Sequence, residues 1–169
     1  MPETPTDAIM LLKADHRAVA ALFAAYEKAG SENEKSDIAH QICTELKVHT
    51  QIEEELFYPA FKGLIPEAKI AESLVEHDGA KMLVNDLEQD TPAAPYFDAK
   101  IKVLSEEVKH HVEEEEQPVD GLFAQCRKTD VDLVALRDAM MARKDALLGE
   151  AQDEGLPAAH YTTVNLVAA

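Results

Sequence analysis

Four long stretches of this chain repeat apolar residues in alternating three- and four-residue steps, a spacing that suits helix and little else. In the first, Ile9, Leu12, His16, Val19, Phe23 and Tyr26 share one face. Ile38, Ile42, Glu45, His49, Ile52 with Glu53, and Leu56 mark the second stretch. Ile70, Leu74, His77, Val84 and Leu87 mark the third, and Phe97, Ile101, Leu104, Val108, His111 and Glu115 the fourth. Such a period gives each helix one buried stripe. Turn chemistry separates the stretches. Gly30–Asn33 is one break, with its Ser31 and the following Glu34 at capping-box spacing, Lys62–Pro66 pairs a helix-ending glycine with a helix-starting proline, and Asp90–Pro95 contains two prolines. A fourth break lies between Gln117 and Asp130, with Thr129 or Asp130 as the next N-cap. Four helices of roughly 20–30 residues on short loops predict an all-α, up-down-up-down four-helix bundle. A shorter fifth helix is expected at about Asp130–Leu148, and a tail of small residues, 149–169, after it.

Charge narrows the function. The 169 residues carry 33 Asp and Glu against 16 Lys and Arg, a net charge of −17. That field repels phosphate backbones and anionic lipid, so no nucleic-acid or membrane partner is expected. No apolar run approaches the roughly 20 residues that span a bilayer. The start, Met1 to Thr4, has no basic region of the kind that opens a secretory leader. Cys43 and Cys126 stand in no CxxC pattern and read as free thiols, so the expected location is the cytoplasm.

The informative residues are those that interrupt the apolar stripes. His16, His49, Glu53, His77, His111 and Glu115 all occupy positions that should be buried. One such histidine is ordinarily a hydrogen-bonded core residue. Six imidazoles and carboxylates buried together cost several kcal/mol each unless something compensates them, and a metal does so. Spacing sharpens the point, because residues equidistant from a hairpin turn lie level. The midpoint of His16 and His49 is 32.5, that of His77 and His111 is 94, and that of His49 and His77 is 63; each falls in a turn. The four histidines therefore converge on one layer, with Glu53 and Glu115 one helical turn beyond His49 and His111. The halves also repeat: His16, His49 and Glu53 are separated by 33 and 4 residues, and His77, His111 and Glu115 by 34 and 4. Paired His and Glu sets inside a bundle are what a dinuclear metal site requires.

This ordered set, with the runs HTQIEEELFYP from His49 to Pro59 and HHVEEEE from His110 to Glu116, resembles the hemerythrin-like HHE cation-binding domain over roughly residues 6–148. The resemblance implies a bundle around two non-haem iron ions with an oxo or hydroxo bridge, meeting O2, peroxide or nitric oxide. It implies Glu53 and Glu115 as bridges, His16 with His49 on one iron, and His77 with His111 on the other. Oxygen-carrying hemerythrins have a fifth histidine four residues after that of the third helix. Here that position is Lys81, which argues for oxidant chemistry, oxygen sensing or iron homeostasis over reversible O2 carriage. Catalase-like or iron-oxidising turnover, and a non-redox iron or zinc storage or scaffold role, are the alternatives.

The remaining polar residues receive plainer readings. Glu45 and Glu76 are possible extra ligands. His110 with Glu114 forms a rival HxxxE register, while Glu54, Glu55, Glu113, Glu114 and Glu116 read as a solvated acidic face. His40 and His160 are expected outside the site. Val108 is expected beside it, and Lys81, in its plain reading, reaches out to solvent.

Overall fold

The computed structural model describes residues 5–165, so Met1–Thr4 and the last four residues of the tail lie outside the described residues. Six helices are present among them: α1 Ala8–Tyr26, α2 Glu32–Ile52, α3 Glu67–Leu87, α4 Phe97–Glu116, α5 Leu122–Cys126 and α6 Leu133–Asp153. Helix α1 packs on α2, α2 on α3, α3 on α4 and α4 back on α1, which closes the expected four-helix bundle. Helix α6 lies against α1 and α2 from outside, and α5 packs on α4.

The helix starts follow capping chemistry. The Asp7 carboxylate accepts from the Met10 N–H at 2.9 Å, and the Ser31 hydroxyl accepts from the Glu34 N–H at 3.2 Å. The Glu34 carboxylate in turn accepts from the Gly30 N–H at 2.8 Å. Helix α6 begins later than expected, because the Asp132 carboxylate, and not Thr129 or Asp130, accepts from the Val134 and Ala135 N–H groups at 3.0 Å. It also runs longer, through Gly149, to 21 residues, the length of α2 and α3. Gly155, with φ of +78°, turns the chain beyond its end, as Gly63 at +76° does after α2.

Helix α2 does not end at Ile52. It continues through one π turn, Glu53–Phe57, into a last α turn at Tyr58–Ala60. In that turn the Tyr58 N–H donates to the Glu53 carbonyl, five residues back. Pro59, which has no N–H to give, follows immediately.

The apolar core is divided in two. Val19, Phe23, Ile42, Leu46, Val84 and Leu104 fill the end near the α1–α2 turn. Ile9, Leu12, Ile52, Phe57, Phe61 and Met140 fill the other. Between them lies a slab of buried polar side chains. Beyond Gly155 the tail folds back over α2 and α3. Lys47 Nζ donates to the Leu156 carbonyl at 3.3 Å, and the Asn85 amide exchanges hydrogen bonds with the Ala159 carbonyl and N–H at 2.9 and 2.7 Å.

Candidate metal centre

The polar slab contains the six residues that interrupt the stripes, none more than 7% exposed. One oxygen of Glu53, Oε2, lies 3.2 Å from both His49 Nε2 and His77 Nε2. One oxygen of Glu115, Oε2, lies 3.4 Å from both His16 Nε2 and His111 Nε2. Each carboxylate thus stands between a histidine of one half of the chain and a histidine of the other. The rings pair in matching fashion: His16 and His49 have centroids 4.9 Å apart at 63°, and His77 and His111 4.8 Å apart at 64°. The α helix carries His49 to Glu53 and His111 to Glu115 in one turn each. His110, 100° round from His111, is exposed, as are His40 and His160.

A seventh polar group was not legible in the stripes. Tyr58 is buried, and its hydroxyl donates to Glu115 Oε1 at 3.0 Å while lying 3.3 Å from Glu53 Oε2 and 3.2 Å from His77 Nε2. The π turn puts it there, since one π turn aligns residues five apart and so stacks Tyr58 over Glu53. Burial, then the Glu115 and Glu53 charges, hold its pKa well above the usual phenol range, so it remains a donor.

Behind the layer stands a second ring of carboxylates. Glu116 accepts from His16 Nδ1 at 2.8 Å, Glu54 from His77 Nδ1 at 2.9 Å, and Glu76 from His111 Nδ1 at 2.7 Å. Asp15 Oδ2 lies 3.6 Å from His49 Nδ1. The order is cyclic: α1 faces the histidine of α2, the extension of α2 that of α3, α3 that of α4, and α4 that of α1. Such partners fix ring orientation and leave Nε2 as the atom presented inward. Glu54 and Glu116 are therefore not merely a solvated face, and Glu76 points at the outer nitrogen of His111 instead of into the layer. Glu45 stays outside, with an oxygen 3.9 Å from Lys144. A signal was available, since each outer carboxylate is the sequence neighbour of a layer residue: Asp15–His16, Glu53–Glu54, Glu76–His77, Glu115–Glu116.

Electrostatics follow from this crowding. Burial lowers the basicity of His49 and His77, but carboxylates outweigh it. Glu53 and Asp15 hold His49 up at about 10, and Glu53 with Glu54 hold His77 up at about 9. Burial likewise opposes, and the His49 charge dominates, the shift that keeps Glu53 well below the usual carboxylate range. Even so, His16 Nε2, both nitrogens of His49, Asp15 Oδ2, Glu53 Oε1 and Glu115 Oε2 are buried without a hydrogen-bond partner. A metal with bonds of about 2.0–2.1 Å separates neighbouring tetrahedral ligand atoms by about 3.3 Å, the spacing of these donors. The set fits a cation.

The hemerythrin HHE cation-binding domain model matches residues 7–119. The chain belongs to that family. A crystal structure of a hemerythrin HHE cation-binding domain-containing protein from Mycobacterium kansasii is 22% identical, with a TM-score of 0.73, and the match covers 89% of this chain and 94% of that one. It confirms the fold. A DNA nickase from Nostoc sp. (strain PCC 7120) is 28% identical over 117 residues, 69% of this chain, which spans about a third (32%) of that protein.

Two further features shape this HHE domain. A cavity of about 30 Å3 opens beside the histidines, with Val19, Leu46, Ala80 and Val108 among its lining. Water needs at least about 10–15 Å3, so the space suits one or two small molecules. Lys81, at the position of the fifth histidine, does not reach solvent. It is buried, with Nζ 2.6 Å from Glu54 Oε1 and 3.4 Å from Asp78 Oδ1, on the outer side of His77. Helix α5 closes the site's other side, where Phe123 stacks on His16 at 5.8 Å and 11°.

Proposed function

We propose that residues 6–148 hold two non-haem iron ions, with His16 and His49 on one, His77 and His111 on the other, and Glu53 and Glu115 between them. The observation that carries this reading is that Glu53 belongs to two buried donor sets at once, His16–His49–Glu53 and Glu53–His77–His111. When bound, such a pair would supply two adjacent redox centres, each able to give one electron to a small oxidant that takes two. The chain's own contribution is positional. The outer carboxylates hold each Nε2 inward, Tyr58 keeps its proton and donates a hydrogen bond to Glu115 beside Glu53, and Val19, Leu46 and Val108 keep the approach apolar. The cavity admits O2, peroxide or nitric oxide and nothing much larger, which favours oxidant response, oxygen sensing or iron homeostasis. Lys81, held behind His77, supplies no fifth imidazole, and this favours oxidant consumption over reversible carriage. No helix of the described residues is long and apolar enough to cross a membrane. The net charge of −17 opposes DNA contact by this domain, whatever the longer Nostoc relative does with its other two thirds.

The test is metal analysis and an optical spectrum of protein purified in air. About two irons per chain with near-ultraviolet absorption of an oxo-bridged pair are expected. Full occupancy by one zinc that iron cannot displace would leave the non-redox storage or scaffold alternative standing.

A further inference from the structure

The rival register of α4 is not idle. His110 and Glu114 repeat the His111–Glu115 spacing one residue earlier, which turns them 100° away from the layer and towards α3. There His110 Nε2 lies 3.2 Å from Glu114 Oε1 and 3.7 Å from Glu76 Oε1. We propose that His110, Glu114 and Glu76 form a second, surface site for a divalent cation of the zinc or ferrous class.

Three observations carry the proposal. The donor set is one imidazole and two carboxylates from two helices, the mixture that borderline divalent cations select. The two spacings from His110 bracket the separation of about 3.3 Å expected between ligands of one tetrahedral ion, and all three ligand atoms lie within 4.8 Å of one another. The set is also open, with the His110 side chain 65% and that of Glu114 42% exposed, so an ion can arrive hydrated and keep water in its remaining positions. A chain of net charge −17 raises the local cation concentration at such a surface.

Glu76 makes the site more than a surface trio. Its Oε1 faces His110, while its Oε2 accepts from His111 Nδ1 at 2.7 Å. One carboxylate therefore links an ion on the surface to a histidine of the buried layer. An ion captured here sits one side chain from the interior, without depending on what the interior holds.

The experiment counts ions bound above those the desalted protein retains, and the comparison of H110A and E114A with the parent tells a surface ion from one that fills the interior. Zn2+ is titrated into the full chain by calorimetry, with imidazole resonances followed by NMR. One saturable extra ion is expected, moving the His110 Nε2 resonance. H110A and E114A should each weaken it about tenfold or more, while E113Q, on the same helix and outside the trio, should leave it unchanged. The retained metal content should be the same in H110A as in the parent. No extra ion, or one equally tight in H110A, overturns the proposal.

Discussion

Replacing Asp78 with Ala should release the tail and destabilise the whole domain. The Asp78 carboxylate is fully buried and accepts from the Thr162 N–H at 2.9 Å, the Thr163 N–H at 2.6 Å, the Thr163 hydroxyl at 2.8 Å and the Val164 N–H at 2.9 Å. Lys81 Nζ stands 3.4 Å away. Burial raises its pKa, and those backbone donors reverse the effect and hold the carboxyl well below the usual range. Hydrogen bonds to a charged acceptor contribute about 1.5–3 kcal/mol each, but ordering the tail costs about 1–2 kcal/mol per residue. Without the carboxylate the tail escapes to water before paying for several unmatched N–H groups, so the loss is capped at its docking free energy, roughly 2–4 kcal/mol. For a chain of this size that is a fall of roughly 4–16 °C in Tm. The assay is a double-mutant cycle in urea: D78A in the full chain, and D78A in a chain ending at Gly155. Hydrogen exchange at Thr162–Val164 serves as the local readout. The cost should drop below about 1 kcal/mol in the shortened chain, because the partners have gone. An equal cost in both backgrounds, or protected amides in D78A, would refute the clamp.

Other expectations follow from the layer. Chelation should lower the Tm, and E53A and E115A should reduce occupancy of both ions, as read by metal analysis. E54Q, E76Q and E116Q should each weaken metal binding about 10–100-fold without touching the ion, a result that a purely solvated acidic face would not produce. Because metal must displace protons from imidazoles held at about 10 and 9, uptake should release protons and affinity should fall as pH falls, measurable by calorimetry in buffers of different ionisation enthalpy. Burial pushes the Cys43 and Cys126 thiols up to about 12, so neither should react with a thiol reagent at pH 8 until the protein unfolds. The same shift makes their contribution to stability full below the unfolded value of about 8.5 and lost as pH rises towards 12.

What the sequence by itself determined here is the register of the layer. Stripes of period 3.6 place His16, His49, His77 and His111 on inward faces, and turns at their midpoints make them level, because helices of equal rise joined by short loops have no other way to meet. The choice of His111 over His110 was legible for the same reason. Off the stripe, adjacency to a layer residue was the sequence's one signal, and tertiary structure decided the partners. Glu54 and Glu55 are identical and adjacent, yet one accepts from His77 and the other pairs with Arg143 of α6 at 2.8 Å. Which of them serves the site depends on what each neighbouring helix presents 100° round, and period alone cannot say. Tyr58 enters through a π turn, a change of pitch invisible to a helical repeat. Lys81 is buried because Thr162 and Thr163, some 80 residues later, come back to bind Asp78. Local spacing specifies which residues share a face; only long-range packing specifies what that face meets.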